Sequence, residues 1–220
     1  EPPDGTPTTV TVTTTGTNDA PAAEDATAYG DEDGGAIIGS VVAIDVDDEG
    51  LVYALVSGVD DDAGELTFND DGSYSFAPAE NFTGEVSFTY KANNGAADSN
   101  VATVTITVDA VNDPPSGTDN TVTTNEDESY TFTAADFGFT DVENDEFASV
   151  IITSIEGIQP NGWLTFNGVP VVAGQEIAAS DLGLLVFTSA GNENGDDFTS
   201  FTFQVKDDGG TSNGGADTDA

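Results

Sequence analysis

The chain has 220 residues, 37% hydrophobic and 9% aromatic, enough for two domains of about a hundred residues with a core in each. Against 42 Asp and Glu stand only Lys91 and Lys206, a formal net charge of −40 at pH 7; such a surface repels nucleic-acid phosphates and anionic membranes. With no Cys, His or Met there are no disulfides and none of the common nucleophile–base pairs, and no run approaches the roughly 18 apolar residues of a membrane span.

The chain does not begin with Met and shows no leader segment, so it reads as a processed mature chain or an excerpt. Its acidic, Thr-rich and Cys-free composition points to a secreted or surface-attached protein. The first element is the alternating run Thr9, Val10, Thr11, Val12, Thr13, a strand with one face to bury. It opens a thirteen-residue segment, TVTVTTTGTNDAP, that returns 94 residues later as TVTITVDAVNDPP with seven positions identical. In the second copy the strand ends one domain and the Asn-Asp-x-Pro linker opens the next. The first copy is therefore the last strand of a domain whose other strands do not precede it in this sequence. The expected division is a donor strand over 1–17, a first domain over 18–112 and a second over 113–220.

Within the first domain, short apolar runs at Ala36–Ile44, Leu51–Val56, Leu66–Phe68, Tyr74–Phe76 and Val86–Tyr90 precede the strand at Val101–Ala110. Asp70-Asp71-Gly72 between two alternating runs predicts a hairpin turn. The second domain repeats the plan at Ser129–Thr133, Ala148–Ile155, Trp163–Phe166, Leu184–Thr188 and Phe198–Val205, with a short helical turn over Glu176–Leu182. About seven short strands per unit at this spacing, with no helical period, predict a β-sandwich. Trp163, in the run WLTF, is expected in the core, and Asn81-Phe82-Thr83 reads as a turn with Phe82 packed inward rather than as a glycosylated sequon. After Lys206 the apolar pattern stops: DDGGTSNGGADTDA has nothing to bury, and the second domain lacks its final strand.

Acidic motifs recur at matching places: Asn18-Asp19 with Asn112-Asp113, Glu32-Asp33 with Glu126-Asp127, and DVDDE from Asp45 with DVEND from Asp141. Alternating oxygen donors on a short turn suit a hard cation bound by six to eight oxygens at about 2.3–2.6 Å, and a charge this large calls for counterions. The competing reading is a solvated acidic face. The NDxPP linker, the ED motif, the DxD-like turn and the VKDDGGT segment together resemble the cadherin-like repeats of large bacterial adhesins over nearly the whole chain. That resemblance implies an all-β fold of two tandem Ig/cadherin-like sandwiches, with Ca²⁺ at the domain junctions. It implies ligands among Asn112, Asp113, Asp141 and Glu143, joined by Glu32 or Asp33. Asn18, Asp19, Asp45 and Asp47 would serve the preceding junction. Glu126, Asp127, Asp145, Asp207 and Asp208 complete the candidate metal set, and Glu143 departs from the pattern by replacing the Asp equivalent to Asp47.

A sandwich missing an edge strand invites strand addition. The linker Gly16–Ala20 reaches at most roughly 18 Å, too short to bring Thr8–Thr15 past a whole sandwich, so the strand of one copy completes the second domain of the next. A head-to-tail contact of this kind does not close and generates a filament. The expectation is thus a non-enzymatic extracellular structural or adhesive protein, a calcium-stiffened rod built from copies of itself. The alternatives are a slice of a tandem-repeat adhesin stalk, with adjacent repeats as partners, and a calcium-dependent carbohydrate-binding module with a glycan ligand.

Overall fold

A computed structural model describes residues 5, 9–47, 50–155, 158, 162–192, 195 and 199–220. Thr8, Asp48, Glu49 and Phe198, each part of a predicted strand or acidic turn, lie outside these residues. The chain divides into two compact units, Glu1–Asp109 and Ala110–Ala220.

In the first unit the strands are β1 (Ala22–Ala23), β2 (Ala26–Asp31), β3 (Ile37–Ser40), β4 (Ala43–Ile44), β5 (Val52–Ser57), β6 (Gly64–Phe68), β7 (Ser73–Pro78), β8 (Gly84–Asn93) and β9 (Ala102–Asp109). Period-two alternation sets which side chains turn inward. Strand β8 buries Val86, Phe88, Tyr90 and Ala92, and β9 buries Ala102, Val104, Ile106 and Val108. These two pair antiparallel, Phe88 opposite Val104, while β2 lies parallel on the other side of β9, Ala28 opposite Ile106. A parallel pair needs a long connection, and the rest of the domain supplies it. The sheet order is β2-β9-β8-β5, facing a second sheet β3-β7-β6, with Tyr74 edge-on to Phe88 at 5.0 Å between ring centres.

The predicted Asp70-Asp71-Gly72 turn joins β6 to β7, with Phe68 opposite Tyr74. Gly72 takes φ +84°, a left-handed conformation that favours glycine. The run expected over Ala36–Ile44 is two strands rather than one. Val41 is buried and its N–H reaches Gly72 O at 2.9 Å, so the chain leaves β7 there and β4 pairs with β1 instead. Tyr90 pins this crossing: its hydroxyl lies 2.6 Å from Glu24 O and 2.8 Å from Val42 O. Asn81, at φ 58°, forms a turn and Phe82 packs against the core.

The second unit holds β10 (Ser129–Thr131), β11 (Phe147–Ser154), β12 (Gly162–Phe166), β13 (Val169–Pro170), β14 (Gln175–Ala178), β15 (Leu185–Ser189) and β16 (Thr202–Asp207). They form the sheets β10-β15-β12-β13 and β14-β11-β16. Short 3-10 turns at Ala134–Phe137 and Ala179–Leu184 drop Phe137 and Leu182 into the core. The helical turn predicted from Glu176 starts only at Ala179, because Gln175–Ala178 is taken up by β11, with Ile177 opposite Val150. Trp163 is not a core residue. Strand β12 turns Leu164 inward at 4% exposure, and the opposite parity leaves Trp163 48% exposed.

Strand β16 is the edge of its sheet, whereas its counterpart β8 is flanked by β9. The equivalence follows from register: Val150 faces Val205 and Ile152 faces Phe203 in the second unit, as Tyr53 faces Ala92 and Leu55 faces Tyr90 in the first. Residues 117–125, which follow the linker as β2 does, carry no strand. The tail is more ordered than its composition suggests. Asp207 N–H donates to Asp217 O at 3.1 Å and Asp219 N–H to Val205 O at 3.0 Å, and Lys206 Nζ meets Asp217 Oδ2 at 3.1 Å. These bonds are mostly made by backbone, so no apolar pattern announces them. Among the described residues, no helix is long and apolar enough to cross a membrane.

Candidate functional site

The Asn-Asp linkers dock onto one end of each unit. In the first, Asn94 is the hub, a residue the acidic motifs do not point to. It is 7% exposed, and its Oδ1 accepts the Ala96 and Ala97 N–H groups at 3.1 and 3.0 Å. That fixes the amide and aims Nδ2 at Asn18 Oδ1 (3.0 Å), Asp19 O (2.9 Å) and Asp45 Oδ2 (2.8 Å). Three oxygens thus gather on a nitrogen that carries two hydrogens. Asp47 Oδ2 accepts Asp19 N–H at 2.7 Å, and Asp45 Oδ1 accepts Asp47 N–H at 2.8 Å. All four predicted residues of this end therefore come together.

The second unit repeats the arrangement with more charge. Asp113 N–H donates to Glu143 Oε2 at 3.3 Å, so the longer Glu143 keeps the contact that Asp47 makes. Asp207, only 2% exposed, stands where the first unit has Asn94. Asn112 Nδ2 donates to Ala216 O at 2.7 Å and lies 3.2 and 3.3 Å from the Asp207 oxygens. Asp141 Oδ1 accepts Asp145 N–H at 2.8 Å, and Asp208 Oδ1 accepts Glu146 N–H at 2.8 Å. The buried Asn112 Oδ1 and Asp141 Oδ2 have no hydrogen-bond donor among the described residues. A Cβ added at Gly209 would collide with both Asn112 Oδ1 and Asp145 Oδ2, so these oxygens converge on one small space that glycine leaves open.

Charge repulsion accumulates here. Burial, then the charges of Asp141, Asp207 and Asp208, hold the Asp145 carboxyl above its ordinary range. Burial, foremost, and the Asp113 and Asp141 charges raise the Glu143 carboxyl as well, against the lowering effect of the backbone N–H groups of Asp113 and Glu143. Lys91 pairs with Asp98 at 2.6 Å and Lys206 with Asp217, so neither lysine forms an ion pair within the cluster, although the Asp207 charge acts on Lys206. As the side chains stand, the described residues hold no group of three or more carboxylates close enough to chelate a metal ion. The donor set is instead mixed, amide and carboxylate oxygen together, of the kind calcium accepts.

Within each unit, the remaining predicted ligands are placed by other elements. Strand β2 runs away from Asn18 and delivers Glu32 and Asp33 to the other end of the first unit, where Glu32 N–H reaches Asp109 O at 3.1 Å and Glu32 is 7% exposed. Glu126 and Asp127 adjoin the end of β15. Asp127 N–H donates to Ser189 Oγ at 3.2 Å, and Asp127 Oδ1 accepts Asn192 N–H at 3.2 Å. The segment Thr9, Val10, Thr11, Val12 and Thr13 is exposed and belongs to no strand among the described residues, with Val10 and Val12 at 86% and 80% exposure.

The family model of the bacterial cadherin-like domain matches residues 18–110, and that of the bacterial Ig domain matches residues 112–217. Among solved structures, Drosophila N-cadherin EC1-4 is similar at 17% identity and a TM-score of 0.52, covering 86% of this chain and 46% of that one. The chain thus spans just under half of that relative's length. Human protocadherin-24 EC1-2 matches at 16% identity and a TM-score of 0.47, covering 86% and 85% of the two chains. At such identities the likeness to N-cadherin is one of fold. No curated protein matches the chain. The chain is thus a tandem of two β-sandwiches, a cadherin-like domain of the bacterial kind followed by an Ig domain of the bacterial kind.

Proposed function

We propose that this is an extracellular structural and adhesive protein, bound by calcium and assembled head to tail, the N-terminal strand of one copy completing the second domain of the next. Cadherin-like and Ig-like tandem domains are adhesion modules of the cell exterior rather than catalytic folds, and the absence of His and Cys accords with that role. One observation carries the assembly. The second domain has β16 at a sheet edge where the first domain has β8 covered by β9, while a second copy of the β9 sequence stands exposed at residues 9–13.

Calcium fits the second domain better than the first. Asn94 supplies amide hydrogens to the oxygens of the first cluster, so protein groups already answer much of its demand. Asp207 in the equivalent place supplies only negative charge, and Asn112 Oδ1 and Asp141 Oδ2 are buried without donors among the described residues. Asn112, Asp141, Asp145 and Asp207 would hold the ion, which would neutralise their repulsion and fasten the linker to the domain; the result is a stiffened filament.

A second reading, a segment of a longer tandem stalk, draws on the tail. Asp219 N–H on Val205 O sets the chain along β16, so following residues of a longer chain would enter the same ladder. Electron microscopy of the chain lacking residues 1–17, in calcium, separates the two. Loss of filaments supports donor-strand assembly, and filaments of normal length refute it. Chelation should loosen the intact assemblies, and indifference to a chelator would remove calcium from the account.

A further inference from the structure

We infer that the second domain accepts the N-terminal segment of another copy in a single register, Val10 opposite Phe201 and Thr11 opposite Ser200, with Asn120–Val122 lying parallel on its other side; this rests on the head-to-tail reading above. The register is set by two independent equivalences. Residues 9–13 correspond to 103–107 through the constant offset of 94 in the repeat. Strand β16 corresponds to β8 through their pairings with β11 and β5, which share a register shift and match Tyr90 to Phe203 and Thr89 to Thr202; one residue further, Phe88 matches Phe201, just ahead of β16. In the first domain Val104 faces Phe88 and Thr105 faces Ser87. Carried across, Val10 faces Phe201 and Thr11 faces Ser200.

The exposure of the acceptor agrees. Phe88 and Tyr90, covered by β9, are 1% and 0% exposed, whereas Phe201 and Phe203 at the matching positions are only half-buried. The far wall agrees as well. In the first domain β2 pairs with β9 from Ala26–Val104 to Asp31–Asp109, and the offset of 94 places Asn120, Thr121 and Val122 at Ala26, Thr27 and Ala28. These residues carry no strand, yet burial alternates along 121–124 as in one: Thr121 and Thr123 exposed, Val122 and Thr124 half-buried. Val122 already packs against the core. The incoming segment thus makes two ladders, antiparallel to the residues that lead into β16 and parallel to 120–122.

The parity of the occupant excludes its nearest alternatives. Val104 and Ile106 are fully buried in the first domain, so Val10 and Val12 point inward in this register. A slip of one residue turns both outward and puts threonines in the core. The described tail pairs with β16 from Asp207 to Val205, short of the Ser200 and Phe201 positions of this register.

The chain contains no Cys, so single-cysteine variants report neighbours cleanly. Thr11→Cys and Ser200→Cys copies, mixed in calcium and mildly oxidised, should yield a disulfide-linked dimer of the mixed kind that neither variant gives alone. The slipped pair Thr13→Cys with Ser200→Cys should lose it. A dimer from the slipped pair instead overturns the register and leaves head-to-tail joining intact. Filaments without any linked dimer place the strand elsewhere and also overturn the register. Copies that stay monomeric by light scattering overturn the assembly itself.

Discussion

Shortening Val10 and Val12 to alanine should weaken head-to-tail joining by about two orders of magnitude without unfolding either domain. Both side chains are exposed in the isolated chain, at 86% and 80%, and their counterparts Val104 and Ile106 are 0% exposed once paired. Each Val→Ala change removes two methyl groups, at about 0.8 kcal/mol apiece. The pair therefore loses about 3 kcal/mol of transfer free energy, and tenfold in affinity corresponds to about 1.4 kcal/mol. The assay is the critical concentration for filament growth, read by light scattering in calcium; it should rise on the order of 100-fold. Thr11→Ala, whose side chain faces outward in the same strand, is the control and should shift it little. Equal effects from the two variants, or no effect from the valines, would refute the reasoning, because only an inward-facing valine row distinguishes them.

Tyr90→Phe removes the hydroxyl that reaches Glu24 O and Val42 O; Val42 O keeps the Glu24 N–H at 3.2 Å, so the cost is that of one hydrogen bond, about 0.5–1.5 kcal/mol, and urea unfolding should show it in the first domain's transition. Burial, foremost, raises the Tyr90 phenol above its ordinary value. Its share of stability is present below the ordinary phenol value and lost as pH rises through the folded one, and the Phe variant should lack that alkaline loss. Asp145 is likewise raised, by burial and then by the Asp141, Asp207 and Asp208 charges, so its share is present at acid pH and lost as pH rises through the folded value. Asp145→Asn should accordingly stabilise the calcium-free protein at neutral pH, with the gain vanishing below about pH 4, while the same variant is protected less by added calcium. Thermal melts at the two pH values, with and without calcium, check both halves.

Much of this architecture is legible in the residues. Strands such as Val104-Thr-Ile106-Thr-Val108 state their buried face by alternation, and the repeat states where one domain ends. The linker clusters are legible too, because Asn18, Asp19, Asp45 and Asp47 recur as Asn112, Asp113, Asp141 and Glu143. What stays hidden depends on partners distant in sequence. Trp163 reads as core by size, yet strand parity gives the inward place to Leu164. Asn94 carries no charge to mark it, and its role shows only when β8 brings it against the linker; alignment with Asp207 is the signal that reveals it. The return of the tail on β16 rests chiefly on backbone bonds, which no side-chain pattern encodes.

The most direct measurement is the binding of a peptide spanning residues 5–17 to the chain lacking residues 1–17, in calcium, with hydrogen exchange read along the second domain. The account predicts one peptide bound per chain, protected amides in β16 and in residues 120–122, and a higher melting temperature for the second domain alone. No binding, or protection confined to the first domain, would contradict it.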